Sequence, residues 1–127
     1  MEISTLFNYL SVHIDGQTIL IPVESVIEVT KQKINRTLPG LKKGFIGITD
    51  LRHEIIPVFS LYSTTGNSQD LVILKVKDKK IGFMTDKVDT ISMLDIGESV
   101  PNKIDEFILC SNETKILDVE SIGKVLG

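Results

Sequence analysis

The chain has 127 residues, a formal net charge of -3 and a pI near 5.3, with twelve Lys, two Arg, one Cys and neither Ala nor Trp. One domain of this size buries roughly two-thirds of its unfolded surface, enough to fold without staples. A single cysteine excludes an internal disulfide and a multi-cysteine zinc site, and it fits a reduced, cytoplasmic setting. A nucleic-acid binder shows a basic excess and aromatic stacking platforms, and this chain has neither. No apolar run approaches the ~18 residues of a membrane span, and no basic region precedes an apolar one at the start, so neither membrane insertion nor a secretory signal is expected. Abundant Ile and Val with no Ala argue for strands over helices.

In chain order, Met1–Thr5 is a loose start and Leu6–Ile14 alternates as a strand. Asp15-Gly16 is a hairpin signal, with Gln17–Ile21 as the return strand. Pro22–Val26 fits a short helical turn. Ile27–Lys33 is a strand and Ile34–Lys43 a loop. Two apolar arms, Phe45–Ile48 and Ile55–Leu61, then flank the polar centre Thr49–Glu54 and read as a β-hairpin. Pro57 in the second arm lacks an N–H, so that arm is expected to be an edge or to carry a bulge. Gly47 in the first arm marks a close approach of backbone or partner. Tyr62–Asp70 is linker-like. Strands follow at Leu71–Val76, Ile81–Met84 and Val88–Leu94, with Lys77–Lys80 as a turn. Gly97–Asp105 reads as a loop, Phe107–Cys110 and Ile116–Val119 as a hairpin, and Glu120–Val125 as a short helix.

The second half repeats the first. At an offset of 62 residues, Leu10, Val12 and Ile14 fall on Val72, Leu74 and Val76, and Ile19 and Ile21 on Ile81 and Phe83. Val26 and Val29 fall on Val88 and Ile91, Pro39 on Pro101, and Phe45 on Phe107. Past the hairpin turn the second copy reads as one residue shorter, matching Ile56, Val58 and Leu61 to Leu117, Val119 and Ile122. The repeat predicts an all-β fold of two pseudo-repeated five-stranded barrels around a shared core, with short helical turns. Their bounds are about 6–62 and 70–125, joined by 62–70.

Catalytic equipment is sparse. His13 alternates out of phase with its apolar neighbours and faces solvent. His53 sits in the hairpin turn with no third metal ligand in evidence. Cys110, within FILCS, reads as an inert core thiol. Phosphate-binding glycine motifs are absent. No cofactor and no reaction are expected. A binding module is what remains. Arg52 reads either as a solvated turn cation or as a bidentate partner for a carboxylate, and Glu28 either as a surface carboxylate, as the other half of a Glu28–Arg52 pair on the groove wall, or as a polar anchor for a partner.

The stretch Gly47–Leu61, GITDLRHEIIPVFSL, resembles the GxxNLRGxxxPVxDL signature of the CheW-like domain family. Ile21–Val29, Ile81–Ile91 and Ile116–Ile122 are similar to that family's other segments, in the same order. The resemblance implies two barrels like Src-homology-3 domains and a non-catalytic adaptor. Such adaptors join chemoreceptor cytoplasmic helical hairpins to the regulatory domain of the histidine kinase CheA. Carried over residue by residue, it implies receptor contact at Val26, Glu28, Gly47 and Arg52, and kinase contact around Val88, Ile91 and Leu94. Three departures stand out. His53 replaces the usual Gly, Asp50 replaces the usual Asn, and the last hairpin, Cys110–Lys115, is clipped.

Overall fold

The computed structural model describes residues 6–31, 36–37, 44–61, 70–95, 102–111 and 114–126. Among them the order is β1 (Leu6–Ile14), β2 (Gln17–Pro22), a 3-10 turn (Val23–Ser25), β3 (Val26–Thr30), β4 (Arg36–Thr37), β5 (Phe45–Leu51) and β6 (Glu54–Phe59). The second half follows with β7 (Asp70–Val76), β8 (Lys79–Thr85), β9 (Lys87–Asp95), β10 (Asn102–Asp105), β11 (Ile108–Ser111), β12 (Thr114–Leu117) and helix α1 (Val119–Leu126). The expected loops at Ile34–Lys43 and Gly97–Asp105 contribute the short strands β4 and β10. The start at Met1–Thr5 and the linker at 62–69 lie outside the described residues.

Three hairpins turn on two residues that both have positive φ: Asp15-Gly16 (50° and 76°), Arg52-His53 (49° and 70°) and Lys77-Asp78 (49° and 65°). That geometry matches the right-handed twist of the flanking strands. Only the first pair contains the glycine that accepts it without strain. The polar centre read at Thr49–Glu54 is therefore narrower than expected. Thr49 is buried within β5, and the turn itself is Arg52-His53. Pro57 causes no conflict, because β6 pairs with β8 only from Val58 onward. At Pro57 that side of β6 is still an edge.

The strands form two six-stranded sheets, β10-β11-β12-β2-β1-β9 and β3-β7-β8-β6-β5-β4. The sequence repeats are not the sheets. The first hairpin of each repeat, β1–β2 or β7–β8, is built into the sheet made by the rest of the other repeat. Parallel contacts anchor each exchange: Val58 and Phe59 opposite Gly82 and Phe83, and Lys115 and Ile116 opposite Ile19 and Leu20. The offset of 62 is kept in the antiparallel ladders. Leu10 faces Ile91 and Val12 faces Val88 in one sheet; Val72 faces Val29 and Leu74 faces Val26 in the other. Even the register shift between those pairs recurs.

Past the hairpin turn the structure corrects the sequence alignment. Gly82 and Leu20 are equivalent, yet their partners Val58 and Ile116 lie at an offset of 58. The second hairpin is thus four residues shorter, not one, which matches Phe59 to Leu117 and Leu61 to Val119. Burial agrees. Phe59 and Leu117 are both in the shared core, and Leu61 and Val119 both pack against it.

That core lies between the sheets and draws on both. It includes Leu10, Val12, Ile19, Ile21, Ile108 and Leu117 from one, and Phe45, Phe59, Val72, Leu74, Ile81 and Phe83 from the other. Phe59 is its centre, with ring centroids 5.2 Å from Phe45, 6.1 Å from Phe83 and 4.8 Å from Phe107. Alternate side chains fill smaller clusters on the opposite faces: Ile56, Val58, Leu71, Ile73 and Met84 in one sheet, and Tyr9, Leu20 and Ile116 in the other. Burial on both faces explains the unbroken apolar run of β7. Helix α1 adds Ile122 to the core. Asp118 caps it, accepting the Ser121 N–H at 3.3 Å and the Ser121 hydroxyl at 2.7 Å. Cys110 is half-buried rather than a core thiol, because it sits near the hairpin tip opposite Lys115 and Asn102.

Gly44 opens the central hairpin at φ 86°, its carbonyl accepting the Ser60 N–H at 2.9 Å. A Cβ there would collide with one edge of the Phe59 ring. Gly44→Ala combines left-handed strain with overpacking and is expected to cost at least about 2 kcal/mol, read as a lower urea midpoint.

Candidate functional site

Strand β3 is an edge of its sheet, and its residues alternate. Val26 and Glu28 are half-buried, while Ile27 and Val29 are each 43% exposed. The tip of the β5–β6 hairpin reaches β3 from the far side of the same sheet, where β5 stands four places away in strand order. There the Arg52 guanidinium donates two hydrogen bonds to the Glu28 carboxylate, Nη1 to Oε1 at 2.6 Å and Nη2 to Oε2 at 2.8 Å. The contact curls the sheet on itself. The Arg52 side chain stays 74% exposed and that of Glu28 24%. Such a pair contributes at most about 1 kcal/mol to stability, because solvent screens it. Its geometry does more, holding the fork of the arginine in one orientation on the surface.

Of the four residues singled out on this side, the structure brings Glu28 and Arg52 together and sets the other two behind them. Val26 packs against the shared core. Gly47 is buried between Thr37 of β4 and Val58 of β6, next to a register shift in β5, so it shapes the strand instead of offering a surface. Sequence reasoning passed over Ile27, Val29 and Ile55, the last 72% exposed on β6. The period-two pattern of VIEVT would have placed Ile27 and Val29 opposite Glu28.

On the other sheet, β9 is also an edge. Val88 is half-buried against the shared core, and Ile91 is 61% exposed. Leu94 lies opposite Phe7 of β1, and its side chain lies outside the described residues. Val88 and Ile91 are the repeat equivalents of Val26 and Val29. His13 is half-exposed, 3.4 Å from Asp89 and 3.2 Å from the Thr18 hydroxyl. Where the parallel strand pairs diverge, two shallow clefts open at equivalent positions. Residues Glu54–Pro57 and Asp78–Lys80 line one, and Gln17, Thr18, Thr114 and Lys115 line the other. A Lys80–Glu54 ion pair at 3.2 Å spans the first.

Asp70 stands at the start of β7 with its side chain 11% exposed. Its carboxylate accepts the Val88 N–H at 2.9 Å and the Lys31 ammonium at 3.1 Å. The backbone bond from Val88 holds its pKa below the ordinary value, with Lys31 and Lys87 adding to this and burial opposing it.

Among the described residues no group of three His, Cys, Asp or Glu side chains could hold a metal ion. No described helix is long and apolar enough to cross a membrane. The CheW-like domain family model matches residues 8–122. The chain belongs to the CheW-like domain family. It is similar to the chemotaxis protein CheW of Thermotoga maritima, 30% identical over 88 residues that make up 65% of this chain. That match spans 58% of the relative's length. Its fold is similar to that of the scaffolding protein TtCheW from Thermoanaerobacter tengcongensis, with a TM-score of 0.68 at 22% identity over 87% of this chain and 86% of that one. The CheW-like fold comprises two barrels like Src-homology-3 domains, as the family resemblance implied.

Two outcomes follow from the site. Because the folded pKa of Asp70 lies below its unfolded value, its contribution to stability is full above the ordinary carboxylate range and is lost as pH falls through the folded pKa. Asp70→Asn is expected to lower stability by about 1 kcal/mol at neutral pH. The gap to the parent should close progressively below about pH 4, read by thermal unfolding across pH. Arg52→Ala is expected to change folding stability by no more than about 1 kcal/mol in urea titration, as befits an exposed pair.

Proposed function

We propose that this chain is a non-catalytic adaptor of chemotaxis signalling. It couples the cytoplasmic helical hairpin of a chemoreceptor to the regulatory domain of a CheA-type histidine kinase. The observation that carries the reading is the bidentate Arg52–Glu28 pair on an edge strand flanked by exposed Ile27 and Val29. A helix laid along this edge would meet the arginine fork on one face of β3 and Ile27 and Val29 on the other, which suits an amphipathic helix that supplies polar groups and an apolar stripe. Val26 and Gly47 support that surface from beneath. The kinase domain binds on the other sheet, at the edge carrying Val88, Ile91 and Leu94. Each contact is modest, and avidity in an assembly supplies the rest. The protein works in the cytoplasm, without cofactor, metal or nucleic acid, and reaches the membrane through its receptor partners.

A second reading keeps the fold and changes the pathway. His53 puts an imidazole at positive φ beside Arg52 in the turn that aims the pair. A receptor–kinase system other than chemotaxis, matched to that altered turn, would be the client. Co-purification with a kinase but not with chemoreceptors favours it.

Calorimetric titration against a receptor hairpin and, separately, a CheA regulatory domain tests the first reading. Arg52→Ala is expected to weaken hairpin binding by about 1–3 kcal/mol and to leave kinase-domain binding unchanged. Equal loss against both partners, or loss only through unfolding, makes Arg52 a structural residue and overturns its placement.

A further inference from the structure

The edge strands β3 and β9 occupy equivalent places in two different sheets, and no backbone ladder joins them. Asp70 does. Lys31, the residue after β3, donates to Asp70 Oδ1, and the N–H of Val88, the second residue of β9, donates to Oδ2. The Asp70 carbonyl is held in turn by the buried Thr85 hydroxyl at 3.0 Å. Both oxygens of one nearly buried carboxylate are thus engaged from opposite sides. A shift of the Lys31 end pulls on the same group that orients the start of β9. The Val88 N–H has a charge-assisted bond here, the stronger kind.

We propose that Asp70 is a positioning residue that ties the end of β3 to the start of β9, so that the exposed apolar edges carrying Val29 and Ile91 are held in one fixed relation. The consequence for signalling rests on the adaptor reading. A receptor helix that displaces β3 is felt at the kinase-facing edge through Lys31, Asp70 and Val88, which gives the two sites a coupling free energy. The physical element that carries it is named, as a coupling claim requires.

The test is nitrogen-15 NMR on the full chain without partners, so its failure is separate from failure of the adaptor reading. Lys31→Met is the first variant, because the Lys31 side chain is 83% exposed and its loss leaves the core intact. The Val88 amide is expected to titrate with Asp70, with a midpoint below the ordinary carboxylate range. Lys31→Met is expected to raise that midpoint, with Lys87 the remaining cation facing Asp70. It should also shift the Val88 and Ile91 amide resonances at neutral pH. In an Asp70→Asn background the same Lys31→Met change should move neither resonance further. Val88 and Ile91 resonances unmoved by Lys31→Met, or a Val88 amide indifferent to the ionisation of Asp70, overturn the proposal.

Discussion

Two short parallel strand contacts, β6 on β8 and β12 on β2, set the architecture. Each is only two residue pairs long, yet each splices a hairpin from one half of the chain into the sheet of the other half. Neither half can complete a sheet alone. The apolar faces so exchanged meet around Phe59, which touches phenylalanines from both repeats. Such long-range pairing has a large loop-closure cost that only the assembled core offsets. The two sheets should therefore fold as one cooperative unit.

The site is a by-product of that arrangement. Splicing β7–β8 beside β3 leaves β3 as an edge with two aliphatic side chains in solvent. The β5–β6 hairpin, at the far side of the same sheet, closes on it through Arg52 and Glu28. The pair adds little stability, and the turn that aims it carries left-handed strain at two non-glycine residues. The second sheet repeats the edge with Val88 and Ile91. Its clipped hairpin does not repeat the arginine.

Much of this was legible in the residues. Periodicity located the hairpins, and the offset of 62 exposed the duplication. The scarcity of arginine drew attention to Arg52, and the place of Glu28 just after the Pro22–Val26 turn made it a candidate partner. The exchange of hairpins was not legible. An offset comparison shows which strands are equivalent, not which of two equivalent sheets each one joins. The four-residue deletion was hidden for a related reason, because Ile/Val-rich strands match acceptably in more than one register. Gly47 was read as a place of close approach by backbone or by a partner. Burial shows that the approach is made by β4 and β6 of the chain itself. Cys110 misled because FILCS looks like core until its distance from the hairpin tip is known. Asp70 was lost in the linker-like run before it, since nothing local announces a carboxylate shared by Lys31 and Val88.

The account rests on one chain presenting two separate binding edges, one per sheet. Sedimentation velocity of this protein mixed with a receptor hairpin and a CheA regulatory domain tests that directly. The account predicts a ternary complex larger than either binary one, because the edges at β3 and β9 do not overlap. Mutually exclusive binding, with the hairpin displacing the kinase domain, would contradict it.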